Sequence, residues 1–272
     1  MARRPKPIDP TGSATSLFGS RTRELRLDRG WGPDDLGDAI GCSGDHISRI
    51  ELGKRAPDDK IAAGLDRVFS TGQYFQDLQP LVLRERIPEP ARALADQESQ
   101  AVRLLVYEPN LITGLLQTEE YMRALTSATL GAERIEEVIS ERLRRQRILA
   151  RESPPWLTVL MDEAALRRPI GGSEVLGPQL DTLAESAQRR TITVQAVPRS
   201  QSANAGLGGT CILMNFAEGG PSAYIEGFAS IGQVLNDPST LNMIEETFDL
   251  IRAAALTAEQ TQQLIQEIRE SL

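Results

Sequence analysis

The stretch Pro33–Pro57, PDDLGDAIGCSGDHISRIELGKRAP, divides into two short amphipathic segments around a turn. Leu36 and Ile40 stand four apart and Ile47 and Ile50 three apart, so each pair lines one face of a helix, with Gly41-Cys42-Ser43 turning the chain between them. Pro33 fits the first position of the leading helix and Gly41 the turn that leaves it. Ser43 is an N-cap for a second helix, Gly44 to Leu52, that stops at Gly53. This is the pattern of a helix-turn-helix. A second helix that opens on short polar residues and turns Asp45, His46 and Arg49 outward suits the DNA major groove.

Within it, Ile47-Ser48-Arg49-Ile50-Glu51-Leu52-Gly53-Lys54-Arg55-Ala56-Pro57 resembles the xenobiotic-response-element type of helix-turn-helix family, related to the phage repressors, through its I-S-x-x-E-x-G-x-R-x-P pattern. The resemblance implies base reading by Gly44, Asp45 and Arg49 and phosphate contact by Ser43 and His46. It also implies a buried ion pair between Arg26, late in helix one, and Glu51. Three positions depart from the family: Pro33 replaces a phosphate-contacting glutamine, Gly44 has no side chain to offer a base, and Thr22 takes a leucine site. Beyond the resemblance, Lys54 and Arg55 at the end of the helix are expected on phosphate, and Arg3, Arg4 and Lys6 extend the basic set into the N-terminal tail.

The 272 residues are long enough for two modest domains, and 40% hydrophobic content supports real cores. No apolar run approaches the roughly 20 residues that span a bilayer, and no hydrophobic segment follows the basic N-terminus, so a cytoplasmic protein without a membrane partner is expected. The net charge of −8 is unevenly placed: Met1 to Gln79 carries 12 basic and 12 acidic residues, and the remainder 18 against 26. Because non-specific DNA affinity comes mainly from neutralised phosphates, a neutral DNA-binding domain on an acidic body binds weakly as a single copy, and a homodimer is expected. Cys42 and Cys211 lack metal-ligand spacing and read as core thiols.

Along the chain, Met1 to Ser16 reads as a disordered tail and Leu17 to Arg29 as helix one, with Phe18, Thr22 and Leu25 facing a core. Asp58 caps a fourth helix carrying Ile61, Leu65 and Val68. The domains expected are a helix-turn-helix over 17–72, a linker helix within 73–90 that ends at the Pro88 and Pro90 break, and an α+β domain over 91–272. Its strands are expected at Val102–Tyr107, Trp156–Met161, Thr191–Val197, Cys211–Phe216 and Ser222–Glu226. Its helices are expected near Glu119–Leu125, Glu133–Ala150, Asp162–Arg168 and Glu174–Ala187, then through Leu241, Ile244, Phe248 and Ile251, and after a Thr257 cap. Leu111–Leu116 is too apolar for a plain linker and fills a core or walls a pocket.

The C-terminal residues carry a second resemblance. Tyr107-Glu-Pro-Asn-Leu-Ile-Thr-Gly-Leu-Leu-Gln-Thr118 with Tyr121, Asp162-Glu-Ala-Ala-Leu-Arg-Arg168 with Gly171-Gly172, Gln179-Leu180 and Val194–Pro198 look like the domain behind the helix-turn-helix in a large group of developmental and antibiotic-production regulators of spore-forming filamentous bacteria, sometimes described as antitoxin-like. It implies a transcription factor that often works with a small protein encoded next to it, and it supplies no ligand.

His46 is the single histidine, which removes histidine-based nucleophilic catalysis and a His-ligated zinc site. Asp45 either accepts from a cytosine or, four residues before Arg49, holds that guanidinium; the spacing favours the second. Asp162, Glu163, Gln195 and Glu226 at strand ends are the material of the alternative reading, a metal-dependent nuclease or hydrolase with a DNA-targeting domain, but no lysine follows Gln195 or Glu226 to complete such a site. Asn204–Gly209 lacks the strand-then-helix context of a phosphate loop. The sequence therefore describes a mainly helical α+β protein with an all-α, lambda-repressor-like N-terminal domain and a C-terminal domain with a small sheet. Its expected function is sequence-specific regulation on double-stranded DNA, with no enzyme activity, metal or cofactor.

Overall fold

A computed structural model describes residues 9–86, 89–201, 205–206, 208–227 and 231–272. The chain forms two units, Met1–Pro88 and Glu89–Leu272.

The first unit is five helices: α1 (Ala14–Asp28), α2 (Pro33–Ile40), α3 (Gly44–Glu51), α4 (Asp59–Phe69) and α5 (Tyr74–Arg86). Short polar side chains start them: Ser13 Oγ accepts from the Ser16 amide, Ser43 Oγ from His46 at 3.2 Å and Asp58 Oδ1 from Ile61 at 2.8 Å. Gly41 ends α2 at φ 86°, a left-handed conformation that glycine adopts without strain and that turns the chain into α3. The helices close on Phe18, Leu36, Ile47, Ile50, Ile61, Leu65, Phe69, Phe75, Leu78 and Val82, with the Phe18 and Phe75 rings edge-on at 5.0 Å.

Two expectations are corrected here. The segment expected as a linker helix is the fifth helix of this unit, because Phe75, Leu78 and Val82 fall on one stripe and all three are buried. The Asp66 carboxylate of α4 caps it, accepting from the Phe75 and Gln76 amides at 3.0 Å each. The expected disordered tail ends earlier, since Ser13 caps α1 four residues before Leu17; residues 1–8, with Arg3, Arg4 and Lys6, lie outside the described residues.

The second unit is built on a six-stranded sheet in the order β3-β2-β1-β4-β5-β6. β1 (Ala101–Glu108), β2 (Trp156–Asp162) and β3 (Ile192–Val197) are parallel; β4 (Thr210–Phe216), β5 (Ser222–Glu226) and β6 (Gly232–Leu235) continue antiparallel. Strand alternation sends Leu104, Val106, Val159, Val194, Ile212 and Tyr224 to one face and Leu105, Tyr107, Leu160, Val197, Leu213 and Ala223 to the other. Both faces are covered, which is why β1 and β2 read as near-continuous apolar runs.

The first face carries α6 (Glu89–Glu98), α7 (Glu119–Ser127), α8 (Ala132–Gln146), α9 (Glu163–Arg167), α10 (Ser173–Ser186) and α12 (Ala258–Glu270). The second carries α11 (Pro238–Ala254) through Leu241, Ile244, Phe248 and Ile251. Ile112, Leu115 and Leu116 join the first core. The long helix expected to run to Ala150 ends at Gln146, and Arg147–Ala150 tightens into a 3-10 turn. β6 is a strand that sequence reading did not separate from the connection before α11. Part of the glycine-rich loop, residues 202–204 and 207, lies outside the described residues.

Candidate nucleic-acid interface

α2 and α3 meet across a contact so close that it fixes a residue type. A Cβ on Gly44 would lie 2.0 Å from Asp34 Oδ1 and 2.7 Å from the Asp34 backbone nitrogen. Gly44, expected at a base-reading position, is buried: the start of α2 covers it, and the position needs a glycine for packing. Asp34 is the residue that sequence reasoning missed, because only the tertiary crossing of the two helices brings it there.

The outward side of α3 carries the remaining candidates. Asp45 is 71% exposed and its Oδ2 meets Arg49 Nε at 2.8 Å, so one helical turn holds the guanidinium by its inner edge. Ser43 is exposed while its hydroxyl caps the helix, and His46 is half-buried beside it. Beyond the helix, the Lys54 and Arg55 amides both donate to Arg49 O, at 2.8 and 3.3 Å, which folds this basic turn back against the end of α3. Arg86 of α5 adds hydrogen bonds to Gly53 O and Lys54 O at 3.5 and 3.4 Å. The side chains of Asp45, Arg49, Lys54 and Arg55 thus arise from one continuous and internally braced segment.

Behind it lies a buried charge cluster. Arg26 Nε meets Glu51 Oε1 at 2.6 Å and Arg26 Nη2 meets Glu51 Oε2 at 2.8 Å, with the side chains 7% and 3% exposed. Arg26 Nη1 also donates to Trp31 O at 2.7 Å, and Arg23 Nε to Glu51 Oε2 at 3.0 Å. This fork geometry fixes the last turn of the outward helix to α1. Thr22 is fully buried and turns its hydroxyl to Phe18 O at 2.8 Å.

The residues of the alternative, metal-dependent reading are dispersed. Asp162 caps α9, Glu163 pairs with Arg167 and Arg199, and Gln195 Nε2 donates to Leu256 O at 2.8 Å. Glu226 stands on β5, three strands away from Asp162 in the sheet. Among the described residues, no three His, Cys, Asp or Glu side chains are grouped to hold a metal ion. No helix among the described residues is long and apolar enough to cross a membrane.

An outward helix braced from behind and joined by a tight turn to a supporting helix defines the class: a DNA-binding protein of the helix-turn-helix type. Residues 17–73 match the family described as helix-turn-helix domain. Residues 91–267 match the family described as domain of unknown function (DUF5753), and since this match spans more than half of the chain, the protein belongs to that family. No curated protein and no solved structure matches the chain.

Proposed function

We propose that this protein is a sequence-specific transcriptional regulator of the xenobiotic-response-element type, reading double-stranded DNA through Arg49 and Asp45 and gripping phosphate through Ser43, His46, Lys54 and Arg55. The observation that carries the reading is the Asp45–Arg49 pair on the exposed side of α3, because a long bidentate donor held at its root suits recognition of a guanine edge. The second unit serves self-association and the sensing of a partner or ligand, in the manner of the antitoxin-like regulators it resembles, and the protein works without enzymatic chemistry. Self-association as a homodimer is supported by the outer side of α11, where Met243 and Leu250, one heptad apart, are 60% and 65% exposed while the inner stripe is spent on the sheet. A second copy related by a two-fold axis would cover that stripe and place two recognition helices for half-sites about one DNA turn, or a multiple, apart. Genome-wide mapping of the full chain on DNA, followed by binding to the recovered sequence and to a scrambled one, tests the reading: equal affinity for both would overturn sequence-specific regulation.

A further inference from the structure

The sheet face that is aliphatic along most of its length becomes polar at one end. Continuing the alternation of Leu104 and Val106 on β1, of Met214 and Ile212 on β4 and of Tyr224 on β5 puts Glu108, Thr210 and Glu226 on that same face. They form one cross-strand row: Thr210 Oγ1 donates to Glu108 Oε2 at 2.8 Å, and Thr210 is the register partner of Glu226. The row lies at the carboxyl end of β1, where strand order reverses from β1-β2-β3 to β4-β5-β6, the kind of place where open sheets leave a crevice for ligands.

α8 brings two cations to this end. Arg145 pairs through Nε with Glu98 of α6 at 3.0 Å. Arg142, within electrostatic reach of Glu226 and Arg145, has a hydrogen bond to Gln117 Oε1 at 3.4 Å and no ion pair among the described residues. Both Glu98 carboxylate oxygens are buried without a hydrogen bond, Oε2 keeping only its ion pair with Arg145. So is the hydroxyl of Tyr121, a residue that is 0% exposed. The Ile112 backbone offers that hydroxyl only a contact outside hydrogen-bonding geometry, while Glu108 and Arg168 lie within its electrostatic reach. Interiors seldom leave such groups unsatisfied unless something polar completes them. Glu226 is exposed and Glu108 and Thr210 are half-buried, so the row is open to solvent at one side.

We propose that this end of the sheet binds a small zwitterion of the amino-acid class, its ammonium group held by the Glu108–Thr210–Glu226 row and its carboxylate by Arg142. Two neighbouring carboxylates with a hydroxyl between them suit an ammonium donor, and a half-buried guanidinium with no ion pair among the described residues suits a carboxylate; a ligand with both charges adds no net charge to the site. Burial, with the Glu226 charge adding to it, pushes Glu108 up to about 7 against the Thr210 hydrogen bond and Arg145, so an arriving ammonium displaces a proton from Glu108 near neutral pH. The groups facing Glu108 are Thr210 and Glu226 from the sheet, Arg145 from α8 and Tyr121 from α7.

The site deepens the sensory role proposed for the second unit, yet binding is measured on the full chain without DNA, so the two readings fail separately. Calorimetry with γ-aminobutyrate, leucine and ornithine, against butylamine and butyrate as single-charge controls, is expected to give at least one zwitterion that binds about tenfold or more tightly than either control. Glu226→Gln, at an exposed position, and Arg142→Gln are each expected to weaken it about tenfold or more. Should Arg142→Gln not fold, titrations of the parent near pH 7 in buffers of different ionisation enthalpy are expected to report proton release. Failure of all three zwitterions to bind, equal binding of the single-charge controls, binding unchanged by Glu226→Gln, or no proton release would overturn the proposal. DNA binding without zwitterion binding would sink this site alone, and zwitterion binding without DNA binding would sink the regulator reading alone.

Discussion

Glu85 closes the N-terminal unit by reaching back to Thr15: its Oε2 accepts from both the Thr15 amide and the Thr15 hydroxyl at 2.8 Å, tying the end of α5 to the first turn of α1 across 70 positions. A fragment that stops at Leu83 therefore loses the tie as well as Arg86, whereas one that stops at Pro88 keeps both. We expect the longer fragment to melt in a single cooperative transition and the shorter one to melt several degrees lower, about 1–2 kcal/mol less stable for the lost charge-assisted bonds. Circular dichroism melts of the two fragments decide it.

The same helix sets an acid limit. Burial raises Asp66 and Glu85, but the hydrogen bonds from Thr71, Phe75 and Gln76 to Asp66, and from Thr15 to Glu85, outweigh it and hold both below their ordinary carboxylate values. A carboxylate depressed in the folded state contributes stability that is present above its unfolded value, near 3.8 for Asp66 and 4.5 for Glu85, and is lost as pH falls through the folded value. The N-terminal unit should hold a level melting temperature from pH 7 to 5 and drop below about pH 4, and Glu85→Gln should flatten that drop. A variant whose acid profile superimposes on the parent would show that the Thr15 contact does not matter in solution.

Glu51 faces two arginines in a nearly closed interior, so removing it strands charge where water cannot reach. Glu51→Ala should cost about 3–5 kcal/mol, against roughly 0–1 for an exposed pair. Arg23→Ala, which leaves the two-bond fork with Arg26 in place, should cost much less. Chemical denaturation followed by fluorescence of Trp31, in a Trp156→Phe background, would report on this unit; equal losses for the two variants would refute the fork as the dominant contact.

Gly44→Ala pushes a methyl group into Asp34 and should cost about 1–3 kcal/mol by overpacking. The double variant with Asp34→Ala should recover only part of that, because the Asp34 backbone nitrogen stays 2.7 Å from the added carbon. Full recovery in a thermal melt would mean that the carboxylate alone, not the helix crossing, demands the glycine.

Arg49→Ala should weaken operator binding by about 1–3 kcal/mol and blur preference at one base pair, while Lys54→Ala weakens all sequences alike and lowers the salt slope by about one unit. Asp45→Ala is predicted to leave stability nearly unchanged, since an exposed pair contributes little, but to loosen discrimination at the Arg49 position. A panel of single-base operator variants, titrated at two salt concentrations, separates these outcomes. An Asp45→Ala protein with intact discrimination would return Asp45 to a bystander role.

The helix-turn-helix was legible because its signals are local: Ser43, Gly41, and the spacing of Leu36, Ile40, Ile47 and Ile50 act within a few residues of one another. A helix before the Pro88 break was equally plain, but its membership was not, since whether Phe75 and Val82 face a core depends on α1 and α4 lying across them. The packing demand at Gly44 was hidden for the same reason: a missing side chain looks like a missing contact until Asp34 is seen above it. In the second unit, β-branched content and short apolar runs marked five strands, while β6 is only four residues long and pairs solely at an edge. Glu226 stood out as a strand-end acid, but strand order, which no local pattern carries, made Glu108 its neighbour through Thr210 rather than Asp162.

Strand order also sets when each half of the chain can form. The helices of the first unit lie within one short stretch of chain and can consolidate as soon as α5 is synthesised. β1, by contrast, must wait for β4: the Thr210–Glu108 bond joins residues 102 positions apart, with α7 to α10 and two other strands made in between. Roughly 120 residues separate the end of the first unit from Thr210, on the order of 6–25 seconds at common translation rates of 5–20 residues per second. During that interval the ribosome carries a finished DNA-binding head on a half-built sheet whose central strand has one open edge, which makes the second unit the slower and more aggregation-exposed half of the molecule at birth.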